Sequence, residues 1–254
     1  MSKGERTTTK AQSAREKIKA QQAAQRAREK RRRIVTYTTA SVVAVAVVGL
    51  GVWYTASQSR SEEALGSLAP ITVQSDGSVV MAQNGVTSPV VDIYEDFQCP
   101  ACKELERVSG QTFKNLAAEG KAKVVYHPIT IFSQDPTRAN SVRAGSAARC
   151  IADGKQWMAF HDLLYKNQPP ETEEGFLPDQ LKEWGKEAGV DTPGFDQCVT
   201  SNKNADAQLA YSKKVSDEQK LDHTPTVKLN GTEIDNQVLF TPSQLREEIT
   251  EAAK

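Results

Sequence analysis

Cysteine is scarce in this sequence, with four in 254 residues, and histidine is scarcer, with three. Cys99 and Cys102 are close together, whereas Cys150 and Cys198 are far apart, so the two short-spaced knuckles of a four-cysteine zinc site are missing. Net charge is also lacking, since 32 Lys and Arg balance 32 Asp and Glu. No internal repeat is visible, which sets aside solenoid and propeller architectures. One stretch, Ile34 to Tyr54, lacks charge altogether over 21 residues.

The zero net charge conceals an uneven distribution. Residues 1–33 hold twelve Lys and Arg against three Asp and Glu, a local +9 that the rest of the chain offsets with −9. Such a block marks either nucleic acid or an anionic membrane surface as partner. The uncharged run that follows decides for the membrane. About 20 apolar residues span a bilayer as a helix, and Trp53-Tyr54 suits the lipid–water interface. A cleaved signal peptide is the alternative, but the long basic region, the full spanning length and the lack of a clear Ala-x-Ala site weigh against it. With Arg31-Arg32-Arg33 abutting the span, the positive-inside rule puts the N-terminus in the cytoplasm and the rest outside. The expected localisation is a single-pass cell-membrane protein with its C-terminal part extracytoplasmic. The arm itself reads as a helix lying on lipid, with no nucleic-acid role.

The remaining chain alternates between two periods. Residues 55–69 read as a linker. Asp76-Gly77 predicts a hairpin within Ile71 to Met81, and Pro89 to Phe97 predicts a strand in which Glu95 shares a face with Ile93. A helix follows Cys99 and stops at Gly120, with a kink or weak turn expected at Gly110. Lys123 to Phe132 reads as a strand ended by Pro128. From Thr137 to Leu221 the apolar residues recur at helical spacing, giving four or five helices. Thr226 to Leu229 and Thr232 to Ile234 flank Asn230-Gly231, a strong hairpin signal. Thr241 then caps a terminal helix with Leu245 and Ile249 inward. The expected class is α/β, a mixed sheet flanked by helices. The divisions are 1–33 arm, 34–54 transmembrane helix, 55–69 linker, 70–136 with 222–254 as the sheet domain, and 137–221 as an inserted all-helical subdomain.

The chemistry concentrates at Asp96-Phe97-Gln98-Cys99-Pro100-Ala101-Cys102. Pro100 fits the first helical position, where a missing N–H costs nothing. Cys99 then caps the helix and faces its positive end, so its thiolate is stabilised. Cys102 lies one turn on, placed to resolve a mixed disulfide formed at Cys99. A structural disulfide or half a zinc site is the alternative for this pair. Asp92 and Asp96 read as strand-end charges, and His127 and His161 as packed, satisfied residues.

Taken with Thr224-Pro225-Thr226-Val227 and Trp157-Met158-Ala159-Phe160-His161-Asp162-Leu163-Leu164, this motif resembles the DsbA-type thiol–disulfide oxidoreductases of the thioredoxin-fold family, and specifically their membrane-tethered actinobacterial versions. The resemblance covers roughly residues 70–254. It implies a cis peptide at Thr224–Pro225, in a loop that lies against the cysteines and binds substrate backbone. It also implies a structural disulfide between Cys150 and Cys198, with two buried free thiols as the alternative. Two departures stand out. Ile93 occupies the position of the buried acid of thioredoxins, leaving Glu95 as the stand-in proton acceptor for Cys102, or else as an exposed strand-end carboxylate. Ala101 replaces the histidine of DsbA. His223 either tunes Cys99 or is a solvated loop residue. The implied activity is a dithiol oxidase that puts disulfides into reduced, unfolded secreted or cell-surface proteins. The implied partner is a quinone-linked membrane reoxidant of the DsbB or VKOR kind. No metal or organic cofactor is implied, and a monomer is expected. A reductase or isomerase of the same fold, or a tethered chaperone with structural cysteines, are the competing functions.

Overall fold

A computed structural model describes residues 68–253. The basic arm, the apolar run and nearly all of the linker lie outside the described residues. Among the described residues no helix is long and apolar enough to cross a membrane.

The first hairpin forms around Asp76-Gly77 as expected, with β1 (Ile71–Val73) antiparallel to β2 (Val79–Met81). Asp76 accepts hydrogen bonds from the Ser78 amide and hydroxyl, which holds the turn. β3 (Val90–Glu95) leads into α1 (Pro100–Leu105), a π-helical turn (Glu106–Gly110) and α2 (Gln111–Ala118). The interruption falls at the glycine that the sequence marks. A Cβ on Gly110 would collide with Glu106 Oε2, so the wide turn lets that carboxylate lie against bare backbone. β4 (Lys123–Pro128) follows and ends at its proline.

Five helices separate β4 from β5: α3 (Thr137–Ala148), α4 (Gly154–Lys166), α5 (Pro178–Glu187), α6 (Pro193–Thr200) and α7 (Ala205–Gln219). Then come β5 (Thr226–Leu229), the Asn230-Gly231 turn and β6 (Thr232–Glu233). A short helix, α8 (Asn236–Leu239), was not expected from the sequence, since one turn leaves no periodic stripe. α9 (Pro242–Glu251) closes the described chain with Leu245 and Ile249 fully buried. Thr241 stands at its start, but the hydroxyl donates back to Gln237 O and does not cap α9.

The sheet order is β1-β2-β4-β3-β5-β6, with β3 and β4 parallel and the other neighbours antiparallel. Alternation along the strands divides its two faces. Met81, Val91, Ile93, Val124, Tyr126 and Val227 share one hydrophobic core with side chains from α2, α4 and α9. Tyr94 on the other face packs with Tyr211 and Val215 of α7. In α7 the sequence suggests Leu209 as an inward residue. The buried position is Gln208, whose amide bonds Pro128 O and the Ser212 hydroxyl, while Leu209 is half-buried. A polar side chain wins the position because the end of β4 presents a carbonyl that needs a donor.

Cys150 and Cys198 are joined as a disulfide, tying the end of α3 to α6. The Asn204 amide lies 3.4 Å from both sulfurs. The bond closes a loop between residues 48 apart in sequence. In the chain-entropy picture this is worth about 4 kcal/mol. The double substitution Cys150→Ala/Cys198→Ala should lower unfolding free energy by about that amount in urea titration, while the thiol reactivity of Cys99 stays unchanged. A loss below about 1 kcal/mol would show that the unfolded chain is not constrained by this bond.

Candidate active site: a dithiol at the end of two parallel strands

Register brings the site together. β3 and β4 are parallel, and β5 runs antiparallel to β3 with Ile93 opposite Val227 and Tyr94 opposite Thr226. The C-terminal ends of β3 and β4 and the start of β5 therefore meet at one edge. The Cys99 loop leaves β3 there, and Thr224–Pro225 enters β5 there. The peptide between Thr224 and Pro225 is cis.

Cys99 is the N-cap of α1 with extended backbone, and Pro100 occupies the first turn. Its Sγ lies 3.4 Å from the Thr224 carbonyl oxygen. Cys99 is 7% exposed and Cys102 is fully buried; the two sulfurs are unbonded here. This geometry gives them opposite acidities. A hydrogen bond from the Cys102 side chain, reinforced by Thr224 and by the amides of Cys102 and Ala101, outweighs burial and brings the Cys99 thiol down to about 6. Burial, the bond to Cys99 and the negative charges of Cys99 and Glu95 push Cys102 well above the usual thiol range. One sulfur is an accessible thiolate and the other a sealed thiol. Pro100 and Ala101 are exposed beside them.

Asp96 is fully buried, so it is no strand-end charge. As the chain turns out of β3, its carboxylate accepts from the Gln98 amide at 2.9 Å and from the Ile131 amide at 2.9 Å. Its own amide points at Cys102 Sγ, 3.5 Å away. Burial raises its carboxyl to about 7 against those hydrogen bonds. Asp92 is engaged too, 2.9 Å from His127 Nε2, while the Tyr211 hydroxyl bonds the other ring nitrogen. Gln168 was not singled out in the sequence. Its amide donates to Phe97 O and Cys99 O at 2.8 and 2.9 Å, and Gln98 returns a bond to Pro169 O. These bonds fasten the segment after α4 to the cysteine loop.

Glu95 is fully buried on the Ile93 face and is not an exposed strand-end carboxylate. Its Oε1 lies 2.9 Å from His161 Nε2. His161 Nδ1 lies 3.0 Å from Asp162, which pairs with Lys114 at 2.6 Å. Four aromatic rings surround His161, those of Phe97, Tyr126, Trp157 and Tyr165. His161 is therefore packed and satisfied, as expected, but its partners are two carboxylates. Burial alone would depress its pKa, yet the charge and hydrogen bonds of Glu95 and Asp162 carry it up to about 10. Glu106 joins the cluster, and burial lifts its carboxyl to about 7. Donor atoms of Glu95, Glu106 and His161 lie within 4.8 Å of one another. Carboxylates therefore flank His161 at both ring nitrogens, Glu95 at Nε2 and Asp162 at Nδ1.

His223 sits 2.6 Å from Asp222 and 3.6 Å from Glu233, with a side chain 43% exposed. Those surface acids are its partners, and Thr226 fixes its carbonyl by a 2.9 Å bond. Ile93 lies in the apolar core.

A family model described as thioredoxin matches residues 84–250. Reduced DsbG of Mycobacterium tuberculosis is 30% identical and superposes with a TM-score of 0.58, covering 72% of this chain and 86% of its own. Oxidised DsbA of the same organism is 29% identical with a TM-score of 0.57, covering 73% and 92%. A curated protein of Rickettsia typhi that carries a provisional protein-disulfide oxidoreductase name is 22% identical over 167 residues, 65% of this chain. The match spans 60% of that relative's length.

The lowered pKa of Cys99 makes two linked predictions. Absorbance of the thiolate in the reduced protein should titrate near pH 6 and vanish in Cys99→Ser. A folded pKa below the unfolded value contributes stability above the unfolded value, about 9, and that stability is lost as pH falls through about 6. The reduced protein should therefore gain on the oxidised one between those limits, by on the order of 1.4 kcal/mol per pH unit. Denaturant midpoints of the two forms that move in parallel with pH would contradict this.

Proposed function

The chain belongs to the thioredoxin family, and from that premise we propose that it is an extracytoplasmic DsbA-type oxidoreductase that donates disulfides to secreted or cell-surface proteins. One observation carries the reading: a barely open, acidic Cys99 against the Thr224–Pro225 turn, with a sealed, weakly acidic Cys102 behind it.

In the oxidised protein the two sulfurs are joined. A substrate thiolate attacks Cys99 Sγ, the exposed end of the bond. The sulfur–sulfur bond breaks, its electron pair goes to Cys102, and a mixed disulfide forms at Cys99. A second substrate thiolate then attacks the substrate sulfur of that mixed disulfide. The substrate leaves oxidised by two electrons, and the protein is left with Cys99 as thiolate and Cys102 as thiol. Cys99 is a good leaving group in this step because its thiolate is stable at neutral pH. Thr224 and Pro225 hold the substrate segment beside Cys99 by backbone pairing, the mode in which a peptide adds to a strand edge.

The compartment follows from the sequence. Twelve basic residues before a 21-residue uncharged run support a membrane tether with the dithiol outside. The Cys150–Cys198 bond suits an oxidising compartment. A quinone-linked membrane protein reoxidises the pair.

Oxidised protein mixed with a reduced, unfolded secreted substrate should yield substrate disulfides stoichiometrically. Cys99→Ser should abolish the transfer, and Cys102→Ser, first charged at Cys99 as a mixed disulfide with glutathione, should release glutathione to a single-cysteine substrate and hold it as a covalent complex visible on a non-reducing gel. A tethered chaperone whose cysteines are only structural would keep its activity in Cys99→Ser.

A further inference from the structure

Cys99 serves the exchange only if its sulfur is aimed, and backbone sets the aim. The amides of Ala101 and Cys102 help to hold the thiolate. How Sγ meets them depends on ψ of Cys99, which is 120° and orients the Cys99–Pro100 peptide against the side chain. An ordinary peptide is held through both its N–H and its carbonyl. This one has no N–H, because residue 100 is proline. Its orientation rests on the Cys99 carbonyl.

Two donors reach that carbonyl. One is the Lys103 amide at 3.1 Å, from within α1. The other is Gln168 Nε2 at 2.9 Å, from the segment after α4. The same nitrogen gives its second hydrogen to Phe97 O at 2.8 Å. Between these two carbonyls Asp96 pins the loop, its carboxylate taking the Gln98 amide and its carbonyl the Cys99 amide, each at 2.9 Å. Gln168 is thus a brace applied from outside the loop.

The brace is itself held rigidly. Asn167 stops α4, with its backbone amide and its side chain both on Leu163 O. Pro169 and Pro170 follow, and a residue before proline is confined to extended backbone. Gln98 Nε2 ties Pro169 O at 3.1 Å. Farther along, α3 grips the same segment: Asn140 bonds Glu173 O and the Gly175 amide, and Arg143 donates to Gly175 O at 2.8 Å. A brace already ordered in the free protein costs no further ordering when substrate binds.

Resting on the exchange reading above, we propose that Gln168 is a positioning residue for disulfide exchange: its one amide group, spread across the Phe97 and Cys99 carbonyls, fixes the Cys99–Pro100 peptide and with it the direction in which Cys99 presents its sulfur. The helical subdomain thereby contributes to the reaction without carrying a reacting atom. With the brace removed, the Lys103 amide holds the carbonyl and the peptide tilts about ψ of Cys99. Sγ then meets the α1 amides and the Thr224 carbonyl less squarely. The line from a substrate thiolate through Cys99 Sγ to Cys102 Sγ is kept for a smaller share of the time. Exchange rate and Cys99 acidity fall together.

The test compares Gln168→Met, close in size and without a donor, with the wild-type full-length protein. Reduction of the oxidised form by a reduced dithiol peptide should slow about tenfold near pH 7. Thiolate absorbance of the reduced form should titrate at a higher pH than in wild type. The urea midpoint of the oxidised form reports folding. A purely structural side chain would lower that midpoint and leave rate and titration alone, so a folded variant with either readout unchanged overturns the proposal. If Gln168→Met does not fold, Gln168→Asn decides. It keeps the amide but is one methylene too short to reach both carbonyls, and it should move both readouts the same way. If the wild-type protein takes no electrons from the peptide, the exchange reading fails first, and the titration alone then decides for Gln168.

Discussion

The contact between Cys99 Sγ and the Thr224 carbonyl joins residues 125 apart in the chain, and it exists because β5 enters the sheet beside β3. Every part of the site depends on that closure. It covers Cys99 until only 7% of it remains accessible. It sets the Thr224 carbonyl 3.4 Å from Cys99 Sγ, while the Cys102 side chain and the amides of α1 hold the thiolate. Behind this front, the tight turn of Asp96 seals Cys102 by spending its carboxylate on the Gln98 and Ile131 amides.

The asymmetry of the two sulfurs has a calculable consequence for electron flow. At pH 7 a thiol with pKa about 6 is mostly thiolate, whereas one near 9 is almost wholly protonated. The reduced form gains about tenfold from this, which moves a two-electron potential about 30 mV toward oxidising. Ala101 contributes no charge or hydrogen-bonding side chain, so the shift comes from the helix start, Cys102 and Thr224 alone. Glu95 and Cys99 each oppose ionisation of Cys102, which keeps the pair as thiolate plus thiol and stops it becoming two thiolates.

How far the sequence discloses this depends on the range of each interaction. The Cys99-Pro100-Ala101-Cys102 helix start, the Asp76-Gly77 and Asn230-Gly231 turns and the break at Gly110 are local, and each forms where the residues place it. Thr224-Pro225 is legible only through family resemblance, because its value lies in a contact made across the sheet. Asp96, Gln168 and His161 escaped as site residues for a physical reason. Their partners lie 35, 71 and 66 positions away, and nothing in the neighbouring residues signals an acceptor that folding will bury. α8 is too short for periodicity, and Gln208 takes the inward position suggested for Leu209 because it answers a carbonyl on β4.

Stabilisation of the Cys99 thiolate makes the dithiol an electron acceptor from proteins. The redox equilibrium of the Cys99–Cys102 pair against glutathione tests it most directly. Thiolate stabilisation predicts a potential about 30 mV or more to the oxidising side of thioredoxin. A value as reducing as about −270 mV, typical of thioredoxin, would contradict it and reverse the direction of flow.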